Sequence, residues 1–134
     1  MRVLVDTSAW VEFLNVHPSP EREAVVRLLM GESDICTCGV IVAEVLQGLR
    51  RERGRSEIQE LFTQMTFLEA VGMAPYVRAA ELYRSLRRHG KTVRSTIDCL
   101  IAVLAEENDC ALLARDRDIA TILASGLVIV RPWP

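Results

Sequence analysis

Acidic side chains at five points along the chain are of the type that handles a divalent cation and a phosphate: Asp6, Glu44, Asp98, Asp116 and Asp118. Each also has a plainer explanation. Asp6, in Val5-Asp6-Thr7-Ser8, stands where an apolar run gives way to a helix-like pattern, so it could cap that helix. Thr7 or Ser8 could cap it equally well, which would leave Asp6 free. Asp98 ends Ser95-Thr96-Ile97-Asp98, a capping-box pattern in which a carboxylate also suits the helix dipole. Glu44 has apolar neighbours on both sides and would ordinarily face solvent. Asp116 and Asp118, in Arg115-Asp116-Arg117-Asp118, read as a charged loop and a helix cap. These explanations weaken together if the fold gathers the five residues. Two like charges ~5 Å apart repel by about 3 kcal/mol at an effective dielectric of 20, so four bare carboxylates would cost on the order of 10 kcal/mol. Such a group must hold a proton or a cation. Oxygen ligands on a partly open site suit Mg²⁺ or Mn²⁺, which can activate water and hold phosphate oxygens. No histidine, lysine or cysteine is placed to do the same work as well.

The elements that must position these residues alternate along the chain. Val3-Leu4-Val5 reads as a buried strand, followed at once by a helix over 9–14 that Pro18 and Pro20 end. A second helix is expected over 21–30, a strand over 34–37, and helices over 40–50 and 56–65. Phe67-Leu68 reads as a short strand. Pro75 suits the first turn of a helix reaching Arg88, with Gly90 as its left-handed cap. A strongly apolar helix runs from Ser95 through Ala105. A strand over 111–113, a short helix over 118–123 and a last strand over 127–130 complete the pattern. Strands that are apolar throughout, separated by helices, imply an α/β fold: a parallel sheet covered by helices on both faces. Sites in such folds form beyond the carboxyl ends of the strands, which singles out Asp6 and Asp116.

The chain of 134 residues suits one domain. No apolar run approaches the ~20 residues that span a bilayer, and Asp6 interrupts the N-terminus too early for a signal peptide. A cytoplasmic protein with no membrane partner is expected. The four cysteines form no C-x-x-C pair, and His17 and His89 lack zinc-finger spacing, so reduced, mostly buried thiols are expected. Net charge is −2, so binding to nucleic acid has to rest on local charge rather than on pI. One stretch qualifies. Arg84, Arg87, Arg88, His89, Lys91 and Arg94 lie between positions 82 and 97 without an acidic residue, and the stretch leads into Asp98. Arg87, Arg88, Lys91 and Arg94 are the phosphate contacts it suggests. A second cluster, Arg50, Arg51, Arg53 and Arg55, is equally well read as a solvated helix face. Aromatic residues, at 5%, are too few for a base-stacking platform. Trp10 and Phe13, three apart, suit the core or a dimer contact.

Four stretches in order resemble the PIN-domain ribonucleases, and within them the VapC-type toxins of toxin–antitoxin pairs. They are Val5-Asp6-Thr7-Ser8-Ala9-Trp10, Val42-Ala43-Glu44-Val45-Leu46-Gln47-Gly48-Leu49, Ser95-Thr96-Ile97-Asp98-Cys99-Leu100-Ile101-Ala102 and Arg115-Asp116-Arg117-Asp118. Many members carry an aromatic residue after the last acidic pair, where this chain has Ile119. The resemblance implies a single PIN-like nuclease domain over 1–134, built as a three-layer sandwich. It implies a catalytic set of Asp6, Glu44, Asp98 and Asp116. Asp6, Asp98 and Asp116, with Asp118 sharing, would hold Mg²⁺ or Mn²⁺, and Ser8 would orient ligands or substrate from behind. RNA is the implied substrate and a small antitoxin the implied protein partner. A homodimer is expected from a hydrophobic content of 50%, a little high for a soluble protein, and from the helix carrying Trp10-Val11-Glu12-Phe13-Leu14. Two alternatives have less behind them. A catalytically inactive PIN-type binding scaffold sits poorly with an intact acidic set. A receiver-type phosphoaccepting module needs a lysine after a late strand, and the only lysine is Lys91. A haloacid-dehalogenase-type phosphatase would need Asp at position 8, which is Ser.

Overall fold

A computed structural model describes residues 1–15 and 18–134; His17 lies outside them. Strand β1 (Arg2–Val5) leads into helices α1 (Thr7–Leu14) and α2 (Pro20–Met30). Strand β2 (Asp34–Cys38) is followed by α3 (Gly39–Gln47) and α4 (Glu52–Thr63), and β3 (Thr66–Leu68) by α5 (Ala74–Arg88) and α6 (Thr96–Glu107). Strand β4 (Ala111–Leu113) and α7 (Arg117–Ala124) follow. The strands pair in the order β3-β2-β1-β4, all parallel, with Leu4 opposite Cys36 on one side and Leu112 on the other.

Val3, Leu4 and Val5 are all fully buried. Successive strand residues point to opposite faces, so both faces of the sheet are covered. This is the expected three-layer α/β sandwich. The chain moves outward from β1 to β2 and β3, then returns to place β4 on the other side of β1. Strand order therefore reverses between β1 and β4, and the crevice beyond their carboxyl ends is the preferred place for a site. Helix α6 is buried continuously from Cys99 to Ala105, as a helix that is apolar all round must be. It packs against α5 and α7, which fixes Asp98 in its first turn.

Local signals act as expected at several ends. Pro75 lies in the first turn of α5, and Gly90 (φ 73°) follows its C-cap residue His89. All four cysteines are buried and unpaired. Two expectations need correcting. Pro20 does not merely end the preceding helix: it opens α2, because the Ser19 hydroxyl accepts from Arg22 N–H and the ring needs no donor at that position. Residues 127–130 form no strand. Instead, Arg131 and Trp133 bond to Leu112, the Arg131 carbonyl accepting from Leu112 N–H and Trp133 N–H donating to the Leu112 carbonyl. Pro132 lies opposite Leu112 in an isolated parallel bridge, its own nitrogen taking no part in either bond. Of the two places expected for Trp10, it takes the core: it is fully buried, edge-on to both Phe13 and Phe62. Among the described residues, no helix is long and apolar enough to cross a membrane.

Candidate active site

Asp6 leaves β1 with its N–H donating to the Leu113 carbonyl at 2.9 Å, one step beyond the β1–β4 ladder. Its backbone is extended and its carboxylate caps α1, accepting from the N–H and the hydroxyl of Ser8. Asp6 itself is the cap, so Thr7 and Ser8 do other work. The Ser8 hydroxyl also accepts from Arg115 N–H at 2.8 Å, which ties α1 to the segment after β4. The Thr7 hydroxyl donates to Glu44 Oε1 at 2.8 Å and draws that exposed side chain toward the crevice. Thr7 was not singled out by the sequence; its partner is far away in the chain, on α3. Asp6 is only 4% exposed. Burial raises its pKa, the two Ser8 hydrogen bonds oppose that, and Asp116 and Glu44 add to the rise.

Asp116 is the N-cap of α7. Its Oδ1 accepts from the N–H groups of Asp118 and Ile119 at 2.8 and 3.1 Å. Asp98, the third residue of α6, directly follows Ile97, whose N–H is capped by the Ser95 hydroxyl. The reciprocal half of the capping box is not made. Among the described residues, the half-buried Asp98 carboxyl has no hydrogen-bond partner. Ligand oxygens of Asp98, Asp116 and Asp118 all lie within 4.8 Å of one another. Asp6 and Glu44 stand outside that close group but inside its field. Burial, then the negative charge of Asp116, Asp6, Asp118 and Glu44, pushes the Asp98 pKa up to about 7. Carboxylate oxygens packed this closely, one of them unpartnered, are a donor set that fits a small hard cation.

Asp118 is the buried member, 7% exposed. Its Oδ2 accepts twice from Arg94, from the backbone N–H at 3.1 Å and from Nε at 2.8 Å. This pairing holds the Asp118 pKa below the usual carboxylate range. Arg94 also reaches Asp116 Oδ2 through Nη2 at 3.5 Å. Of the basic residues expected to meet phosphate, Arg94 therefore touches the acidic group directly. Lys91 is three residues away in the α5–α6 loop, and Arg87 and Arg88 are exposed on the last turn of α5. Arg84, Arg87 and Arg88 line an open cavity of about 500 Å³. The second basic cluster is largely spent within α4, where Arg53 pairs with Glu57 and Arg55 with Glu52. Arg115 turns away toward Glu12 and Glu21.

The geometry has counterparts in known proteins. The family model described as the PIN domain matches residues 3–123. A VapC ribonuclease of Mycobacterium bovis and the ribonuclease VapC11 of Mycobacterium tuberculosis are each 36% identical over 121 residues, covering 90% of this chain and 90% of the relative. Among solved structures, DNA-bound VapBC from Salmonella typhimurium superposes with a TM-score of 0.73 at 17% identity, covering 100% of this chain and 99% of that one. VapBC2 from Rickettsia felis, bound to a fragment of its promoter, gives 0.70 at 19% identity with both chains fully covered. With strand order, acidic cluster and sequence match in agreement from the first strand to the last helix, the chain belongs to the PIN-domain family.

Proposed function

We propose that the chain is a metal-dependent endoribonuclease of VapC type, the toxin of a toxin–antitoxin pair, acting in the cytoplasm. The observation that carries the reading is the close set of Asp98, Asp116 and Asp118, with the Asp98 carboxyl lacking a hydrogen-bond partner among the described residues and its pKa pushed up to about 7. It is supported by the 36% identity to relatives named as VapC ribonucleases. A structural carboxylate finds donors, whereas this one is left open toward its neighbours.

Asp98 and Asp116, with Asp6 from the end of β1 and the free Oδ1 of Asp118, would hold Mg²⁺ or Mn²⁺. Bound there, the ion would lower the pKa of a water and polarise a phosphate oxygen. The chain's own residues do the rest. Ser8 keeps the Asp6 carboxylate turned into the crevice, and its second bond, from Arg115 N–H, fixes the crevice width. Glu44, braced by Thr7, is the exposed carboxylate nearest to bulk water and suits accepting the proton lost by the attacking water. Arg87, Arg88, Lys91 and Arg94 face the backbone of a single-stranded RNA and set its path toward the carboxylates. The test is incubation of purified chain with total RNA, followed by end mapping. Discrete cleavage is expected with Mn²⁺ and not with EDTA. Asp6→Asn should cut at least tenfold more slowly, although Asn still caps α1. Equal cleavage in EDTA, or by Asp6→Asn, would refute the metal site.

Two partners complete the proposal. A small antitoxin would bind over the acidic crevice, where a bidentate Arg suits paired carboxylates. A second copy of the chain would cover the apolar surface of β3 and α5, where Phe67, Met73, Tyr76 and Val77 are exposed. Helix α1 contributes less than its sequence suggested, because Trp10 is internal and only Val11 and Leu14 are exposed. Light scattering at tens of micromolar should report a dimer, and Phe67→Glu a monomer. A monomeric parent chain would remove the second copy. The product of the small reading frame adjoining the gene should co-purify and relieve growth arrest; if it does neither, the toxin–antitoxin reading fails while the nuclease reading stands.

A further inference from the structure

We infer that Arg94 is a catalytic residue that contacts the reacting phosphate, and that Asp118 is the positioning residue that aims it. The inference rests on the nuclease reading for its substrate. Its geometry stands apart from that reading.

The Arg94 side chain is 78% exposed, yet it is not a loose surface arginine. One carboxylate oxygen, Asp118 Oδ2, receives both its backbone N–H and its Nε–H. The first bond fixes the α5–α6 loop against the start of α7. The second fixes the plane of the guanidinium. Asp118 can do this because it is itself buried and sits in the first turn of α7, which Asp116 caps. A guanidinium has five N–H donors. Here Nε–H is spent on Asp118, and one Nη2 N–H leans on Asp116 at 3.5 Å. The remaining donors have no partner among the described residues and face outward at the rim of the acidic group. Fixed donors at the edge of a carboxylate cluster, next to where a phosphate must sit, are the arrangement that stabilises charge developing on phosphoryl oxygens without reorganisation. Each Asp118 oxygen then has its own part: Oδ2 holds the arginine, and Oδ1 remains free for an ion.

Arg94→Ala isolates the guanidinium, because the backbone N–H still binds Asp118 and keeps the loop in place. Four variants are required: Arg94→Ala, Arg94→Lys, Asp118→Asn and the Arg94→Ala/Asp118→Asn double. Three measurements separate the roles. The first is kcat and KM on an RNA oligonucleotide with Mn²⁺. The second is calorimetric Mn²⁺ titration without RNA. The third is the salt dependence of binding of a fluorescent single-stranded RNA in EDTA, where nothing is cut. Arg94→Ala is expected to lower kcat by about 10- to 100-fold and to reduce the slope of log K against log salt by about 0.7. Its Mn²⁺ affinity should be unchanged or tighter, since a cation has left the cluster. Lysine should recover little, because an ammonium cannot keep Asp118 and present a second in-plane donor. Asp118→Asn should match Arg94→Ala in kcat at saturating Mn²⁺ and add nothing in the double variant, as groups acting as one unit do.

Undiminished kcat in Asp118→Asn at saturating Mn²⁺ would overturn the inference, since Arg94 would then be aimed without it. Unchanged kcat in Arg94→Ala, full rescue by lysine, or multiplicative losses in the double variant would overturn it as well. If the parent chain cuts no RNA, the nuclease reading falls by that result alone. The salt slope of Arg94→Ala then still decides whether the guanidinium meets a phosphate.

Discussion

Asp98→Asn is expected to slow RNA cleavage by about a thousandfold, ~4 kcal/mol of transition-state stabilisation, and at the same time to make the metal-free protein more stable at pH 8. The two effects have one cause. Asp98 shares its surroundings with Asp116, Asp118, Asp6 and Glu44, and its pKa is pushed up to about 7. The folded state thus holds this proton more tightly than the unfolded chain does. Stability therefore falls as pH rises from about 4 to about 7, and above that the loss is complete. A shift from 3.8 to about 7 corresponds to about 4 kcal/mol for a fully sequestered group. Asp98 is half-buried beside an open crevice, and solvent screening brings the figure nearer ~1 kcal/mol. The amide removes that penalty together with a ligand that nothing else replaces. Thermal scans in EDTA should show the variant above the parent at pH 8 and level with it at pH 4, where the parent carboxyl is already neutral. A variant less stable than the parent at pH 8 would mean that Asp98 has a structural partner, contrary to the geometry.

Asp6, Asp98 and Asp116 were legible in the sequence for different reasons. Asp6 and Asp116 follow strands that are apolar at every position, and that pattern specifies both a covered parallel sheet and the end at which its site lies. Asp98 was visible as the only charge in the first turn of an otherwise apolar helix. What could not be read were the links between distant segments. Thr7 meets Glu44 only because α1 packs against α3, and Ser8 meets Arg115 N–H only because β1 and β4 are neighbours. Arg94 was visible as the cation nearest Asp98 in an acid-free stretch. Its grip on Asp118 was not, since Asp118 looked like one more charge in a polar loop, and it is the fold that buries it. The C-terminal run failed in the opposite direction. Val128 and Val130 are buried and Ile129 is exposed, the alternation of a strand. That alternation reports burial, whereas a strand also needs a neighbour with free backbone groups. Here Ile129 N–H goes to the Glu106 carboxylate instead.

Divalent-ion binding should be steeply pH-dependent below neutrality. An ion held by Asp98 must displace its proton, so affinity for Mn²⁺ should fall by about tenfold for each pH unit below 7 and level off above it. Between pH 7, where Asp98 is already half protonated, and pH 5 the change is about 50-fold. The consequence for thermal stability follows from mass action. An Mn²⁺ concentration about 100 times the dissociation constant at pH 7 stabilises the fold by about 2.7 kcal/mol. At pH 5 the same concentration is only about twice the dissociation constant, and the gain falls to about 0.6 kcal/mol. Burial raises the Asp6 pKa as well, so its proton competes with an ion in the same sense. Calorimetry in buffers of different ionisation heat should detect close to one proton released per ion at pH 6 and very little at pH 8.5. In Asp98→Asn the residual Mn²⁺ binding should lose most of this pH dependence, because the proton that the ion displaces has gone with the carboxyl group. An equal Mn²⁺-induced rise in melting temperature at pH 5 and pH 8 would remove Asp98 from the ion's ligands. The raised pKa would then be a property of the carboxylate cluster alone.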